Sequence, residues 1–528
     1  MEKITVFDST LRDGAQAEGI SFSVEDKLKI VKALDAFGVD YIEAGNPGSN
    51  PKDLEFFRRA GEMDLQTARL VAFGSTRRKG IAVAEDKNVQ SLLDAGTDTV
   101  AIFGKSWDFH VTDIIHAAPE ENLAMIADTV AFCKARGKAV VYDAEHFFDG
   151  YKSNAGYALA TLQAAADAGA DWLALCDTNG GAMPGEVEEV TRLVCARFAV
   201  PVGIHCHDDC GMAAANSIVS ADAGARMVQG TFTGFGERCG NAALSTVIPV
   251  LQAKRGYDCI PADNLPLLTP TARLVADVAN LSVPERAPFV GRTAFTHKGG
   301  MHIDGVAKAP HSFEHISPES VGNARRMLTS EVAGRSTILR QIQKVRPDIQ
   351  KDSPETAEII DALKELEHQG YQFEAAESTF DLVIRKKLGK YKPFFELVNF
   401  KTIGEQPYER GRSASALIKV LVDGKEEITA AEGDGPVNAL DKALRKALEV
   451  FYPQLSAVHL TDYKVRVLDG GEATAAKVRV LIESSDGVSS WSNVGVSNDI
   501  IEASWIALVD SIEYKLICDL EQKYKAYL

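Results

Sequence analysis

Short apolar, β-branched runs recur along the first half of the chain, each followed by a stretch in which apolar positions return every three or four residues. The first pattern suits a buried parallel strand and the second an amphipathic helix. Eight runs are predicted as strands, at 4–8, 39–44, 69–75, 97–104, 139–144, 172–177, 202–207 and 226–231. Between them, 23–37 and 156–168 read as helices. Ser23 is placed as an N-cap with Asp26 three positions on, and Gly38 and Gly169 stand where helices end. Eight alternating units predict an α/β fold, a (β/α)8 TIM barrel. An open doubly wound sheet is the alternative, but its first strand would lead into a Gly-rich nucleotide turn. Here it leads into the polar Thr10-Leu-Arg-Asp-Gly-Ala-Gln16.

The pattern then changes twice. It becomes helical with polar loops, with helices predicted at 270–280, 336–345 and 354–369. The basic stretch 385–392 reads as a solvated face. After it the pattern turns to alternating strands: a hairpin of 414–422 and 425–432 around Asp423-Gly424, a Gly-rich turn at 433–438 and a helix at 439–450. The same order returns at 463–468, 475–483 and 491–496, with a helix at 499–514, so duplicated βββα units are expected. The expected organisation is a catalytic barrel at 1–265, helical subdomains or linker at 266–407 and an α+β regulatory domain at 408–528.

Composition narrows the class. Apolar residues are 45% and charged residues 25%, as in ordinary globular proteins, which excludes a disordered or collagen-like chain. No long uncharged apolar run predicts a membrane span. No signal peptide is expected, and the eight cysteines form no Cys-x-x-Cys, so reduced thiols and a cytoplasmic location are predicted. The net charge of −17 has the wrong sign for nucleic acid. An anionic substrate therefore needs local basic groups, for which Arg12 and Arg77 to Lys79 are available.

A barrel of this kind carries its site at the C-terminal ends of its strands, where polar residues gather. His205 and His207 lie on one face of a strand and, with Asp13, can bind one divalent metal. This mixed set suits zinc, manganese, cobalt or magnesium. The bland alternative is a structural His-x-His. Arg12 can stabilise a carboxylate or enolate oxygen, or be a surface salt bridge. Glu145 is a candidate acid/base or a solvated carboxylate. Thr178 is a carboxylate donor or a cap. Gln16 and Glu43 complete the substrate-binding set. Cys206 points away from the metal face. Phe73, Phe103 and Phe147 are offered as pocket wall, though each reads more readily as core.

Asp8-Ser-Thr-Leu-Arg-Asp-Gly-Ala-Gln16 resembles the signature of the DRE-TIM metallolyase superfamily. His205-Cys-His207-Asp-Asp, Gly234-Phe-Gly-Glu-Arg-Cys-Gly-Asn241 and Thr296-His-Lys-Gly-Gly-Met-His302 resemble motifs of its isopropylmalate/homocitrate/citramalate synthase family. Gly433-Asp-Gly-Pro-Val-Asn and Gly495-Val-Ser-Asn-Asp resemble that family's regulatory domain. The resemblance spans nearly the whole chain. It implies metal ligation by Asp13, His205 and His207 with Asn241 as a further ligand, oxoacid binding by Arg12 and Thr178, and proton transfer by Glu145 and His302. His302 would come from the partner subunit of a homodimer. It also implies condensation of acetyl-CoA with a 2-oxoacid. Glu145-His-Phe-Phe-Asp-Gly-Tyr most resembles members that use pyruvate, with isoleucine the expected effector. Isopropylmalate synthesis, a lyase and a non-catalytic amino-acid sensor remain as alternatives. Asp208 departs from the Asn of many relatives.

Overall fold

The structure, a computed structural model, describes residues 2–48, 50–298, 300–327, 335–350, 352–404, 413–468, 475–487 and 489–526. Two compact units are formed, one from Met1–Thr296 and Glu314–Arg326, the other from His297–Phe313 and Met327–Leu528. No helix among the described residues is long and apolar enough to cross a membrane.

In the first unit eight parallel strands close into a barrel in chain order. They are β1 (Thr5–Asp8), β2 (Tyr41–Glu43), β3 (Arg69–Ser75), β4 (Thr99–Lys105), β5 (Ala139–Glu145), β6 (Trp172–Asp177), β7 (Val202–Cys206) and β8 (Met227–Gly230). β1 closes the ring against β8, with Thr5 opposite Met227. Alternate residues face inward. Phe7, Val71, Ala101, Val141, Ala174 and Met227 therefore form a small apolar plug separate from the main core. Outward residues such as Val6, Ile42 and Val140 pack against the surrounding helices. Two positions further along β2, β5 and β8, the same parity brings Glu43, Asp143 and Gln229 onto the inner face above the plug.

Local signals explain the helix ends. Ser23 and Asp26 form a reciprocal capping box on the helix Val24–Phe37, and Gly38 ends it at φ 99°. The segment Glu314–Arg326 is held in this unit by long-range bonds. Thr269 Oγ1 donates to Val321 O at 2.7 Å, and Asn323 Nδ2 donates to Phe289 O at 2.8 Å.

The second unit contains two three-stranded antiparallel sheets. Ala414–Val422 and Lys425–Gly433 form the expected hairpin, with positive φ at both Asp423 and Gly424, as a type I′ turn requires. A further strand, Glu396–Gly404, pairs with Ala414–Val422. It had no readable alternation because nearly all its residues are exposed. His459–Val467, Val478–Ser485 and Ser490–Ser497 repeat the arrangement. The helices Pro436–Leu448 and Ile500–Ala526 share one core with the sheets, through Leu444, Ile418, Val480 and Leu508. The duplicated βββα units are thus present. The basic stretch 385–392 is partly structural: Arg385 pairs with Asp381 and Glu521, and Lys386 with Asp510.

Candidate active site

Asp13, His205 and His207 are all buried, and one donor atom from each lies within 4.8 Å of the others. His205 Nε2 is 3.4 Å from His207 Nε2 and 3.4 Å from Asp13 Oδ2. The histidines converge because i and i+2 share the barrel's inner face. His207 lies just past β7, in a β-bridge with Asn241. Asp13 comes from the turn after β1, where its N–H donates to Ser9 O at 2.9 Å. Asp13 Oδ1 and Asn241 Oδ1 are buried with no hydrogen-bond partner among the described residues. Polar atoms left so carry a desolvation cost that a bound cation would offset. Carboxylate, imidazole and amide donors fit a divalent metal. Asn241 presents Nδ2 at 3.3 Å from His205 Nε2; a half-turn of its carboxamide exchanges nitrogen for oxygen there.

Electrostatics favour the donor forms of Asp13 and His207; at His205 burial favours the neutral ring, but the bond to Asp13 overrides it and raises the imidazole. Burial alone would raise Asp13, but the Arg12 guanidinium and His205 override it and hold the carboxyl well below the usual range. Burial, reinforced by His205, pushes His207 down to about 3. Arg12 Nη1 donates to Asp13 Oδ2 at 3.0 Å, and its Cζ lies 3.8 Å from the centre of the Phe73 ring. Phe73 stacks on Phe103, with ring centroids 5.2 Å apart. His146 and Arg238, both next to Thr178, adopt positive φ, rare for non-glycine residues.

The HMGL-like family profile matches residues 3–275, the homocitrate synthase post-HMGL domain-like profile 289–371, and the LeuA allosteric (dimerisation) domain 374–516. The (R)-citramalate synthase of Synechocystis sp. is 51% identical over 525 residues, covering 97% of this chain and 96% of that protein. The (R)-citramalate synthase of Aquifex aeolicus is 51% identical, covering 99% of each chain. The chain belongs to the (R)-citramalate synthase family. The (R)-citramalate synthase of Geobacter sulfurreducens is 50% identical, covering 98% of each chain. Among solved structures, the HMG-CoA lyase of Bacillus subtilis aligns with a TM-score of 0.46 at 20% identity, over 54% of this chain and 96% of that one.

In this (R)-citramalate synthase family member the barrel brings together Arg12, Asp13, Glu43, His205, His207 and Asn241. Thr178 Oγ1 accepts from His146 N at 2.8 Å, and a hydroxyl that accepts can still donate to a substrate. Glu145 is ion-paired with Lys105. Gln16 is exposed at the end of the turn Gly14–Gln16. His302 lies in the second unit, exposed on the helix Gly300–Lys308, with its ring stacked on Phe313. Arg77 is not available to a substrate, because its side chain bonds Asp128 and Glu121, each at 2.8 Å. Phe147 is core, packed edge-on against Phe148. Lys105, Ser9 and Gln229 were missed. For Gln229 there was a signal, a long polar side chain in the middle of an otherwise apolar strand.

Proposed function

We propose that the chain condenses acetyl-CoA with pyruvate and hydrolyses the thioester, giving (R)-citramalate and free CoA. The observation that carries this reading is near-full-length identity to (R)-citramalate synthases together with an intact buried Asp13, His205 and His207 beside Arg12. Asp13, His205 and His207 would hold a divalent ion, with Asn241 as a further donor. Bound there, the ion would supply Lewis-acid polarisation of a 2-oxoacid.

The chain's own groups do the rest. Arg12, fixed by Glu43, attracts the oxoacid and the negative charge that grows on its keto oxygen. Thr178 donates to the substrate carboxylate, with Gln16 at the rim. Phe73 and Phe103 bound the methyl side; such a wall discriminates against a larger oxoacid by about 1–3 kcal/mol. Glu145 and His302 handle the proton removed from the acetyl methyl group, with Glu145 ion-paired to Lys105. The new carbon–carbon bond joins that methyl carbon to C2 of pyruvate. Water then cleaves the carbon–sulfur bond, leaving a carboxylate and the CoA thiol. The chain works in the cytoplasm as a homodimer in which His302 serves the neighbouring barrel, and isoleucine binds the duplicated βββα module as feedback effector.

The test is release of CoA thiol from acetyl-CoA with pyruvate, 2-oxoisovalerate or 2-oxoglutarate, in parallel with manganese, magnesium, zinc and cobalt. Fastest turnover with pyruvate is expected. Faster turnover with 2-oxoisovalerate makes the chain an isopropylmalate synthase instead. Isoleucine is expected to slow the reaction; a rate indifferent to isoleucine and leucine removes the effector assignment.

A further inference from the structure

Two buried polar residues at the metal centre offer no donor atom to it. Gln229 on β8 is 0% exposed and Asp143 on β5 is 4% exposed. Gln229 Nε2 donates to Asp143 Oδ1 at 3.0 Å. At its other end, Gln229 Oε1 lies 3.1 Å from His205 Nδ1. The barrel register brings this about, because Gln229 is the β8 partner of His205 on β7.

A carboxamide can be turned end for end with almost no change of shape, so Gln229 alone would not choose which end faces the histidine. An ionised carboxylate has acceptors only. It takes the NH2 end of Gln229 and turns the carbonyl towards His205. A carbonyl cannot donate, so the hydrogen must sit on His205 Nδ1. With the ring neutral, as metal ligation requires, that leaves a lone pair on Nε2, the atom facing Asp13 Oδ2 and His207 Nε2. Burial pushes the Asp143 carboxyl up to about 7, while His205 and Arg12 favour its ionised form; a cation at the centre would favour it further.

We propose that Asp143, acting through Gln229, sets the tautomer of His205 and thereby makes Nε2 its metal-donor atom. Asp143 and Gln229 are positioning residues: neither is given a contact with substrate. The inference rests on the metal-centre reading above. Partners of this kind, bonded to the far side of a ligand histidine, typically change metal affinity by about 10–100-fold when removed.

Zinc is the probe, because it is diamagnetic and its affinity can be read by competition with a chromophoric chelator. Asp143→Asn keeps the shape but can offer either an NH2 group or a carbonyl to Gln229. Gln229→Met keeps the length and removes both bonds. Each is expected to weaken zinc binding by about 10-fold or more. Zinc affinity within about twofold of wild type overturns the proposal, even where the melting temperature falls. The 15N imidazole spectrum of the zinc-loaded wild type needs no variant to fold. At about pH 8, where the carboxylate form prevails, the His205 hydrogen is expected on Nδ1; a hydrogen on Nε2 overturns the proposal. A wild type that binds neither zinc nor any of the other three metals overturns the metal-centre reading, and the relay with it.

Discussion

Arg12 Nε lies 2.6 Å from Glu43 Oε2, with Glu43 fully buried and the Arg12 side chain only 11% exposed. Ser9 Oγ donates to the same carboxylate oxygen at 2.5 Å. With Nη1 on Asp13 and the Phe73 ring against its face, the guanidinium is held on several sides before any substrate arrives. Nη2 makes no bond to protein among the described residues, so in the proposed reaction it would be the donor left for a substrate anion.

Glu43→Gln keeps the shape of this pair and removes its charge. We expect a stability loss of about 1–3 kcal/mol, since the bond lost is to a charged group. The kcat/KM for pyruvate is expected to fall about 10–100-fold as Arg12 loses its orientation. Arg12→Lys is expected to lose at least as much activity, because an ammonium cannot reproduce the fork or the ring stacking. Thermal unfolding and CoA-release kinetics on both variants check this; a wild-type kcat/KM in either variant refutes it.

Gly240 adopts φ +93°, and a Cβ there would lie 2.0 Å from Gly234 O. Its own carbonyl accepts from Asp208 N at 2.9 Å, and the next residue, Asn241, bonds back to Gly234 O at 2.9 Å. Any side chain must therefore push apart the turn that carries Asn241 beside His205 and His207. Gly240→Ala is expected to weaken zinc binding by about tenfold. Chelator competition measures this, and an unchanged affinity would separate Asn241 from the ligand set.

Glu513, on the helix Ile500–Ala526, is 1% exposed. It accepts from Phe394 N at 3.0 Å, while Oε2 makes no hydrogen bond among the described residues. Burial pushes its carboxyl from an ordinary 4.5 up to about 7, against the pull of the Phe394 N–H and Lys386, with Asp510 nearby adding to the rise. Between those two values the folded state holds a proton that the unfolded chain has released. Stability therefore falls as pH rises through that window and is level above it; the full loss is on the order of 3 kcal/mol. Glu513→Gln should flatten this slope and be the more stable protein above the window. Denaturant unfolding of the full chain at several pH values compares the two; parallel profiles refute the assignment.

Much of the barrel was legible because its signals are local. Every barrel strand falls within two residues of its predicted ends, since a run of β-branched residues between helical periods needs no tertiary information to be read. The Ser23 and Asp26 capping box and the Asp423-Gly424 turn were visible for the same reason. The strand Glu396–Gly404 was not, because an exposed strand buries no alternating face.

Sequence alone determined the barrel's elements, their order and which side chains have the chemistry to ligate a metal, since periodicity and side-chain chemistry are properties of short stretches. Only the tertiary structure decided which groups meet. It paired Lys105 with Glu145, tied up Arg77, sealed Arg12 against Glu43 and joined Asp143 to His205 through Gln229. Asp143 and Gln229 are 86 positions apart in sequence. Their contact follows from barrel closure, which sets the register between strands and so which inward-facing residues share a layer.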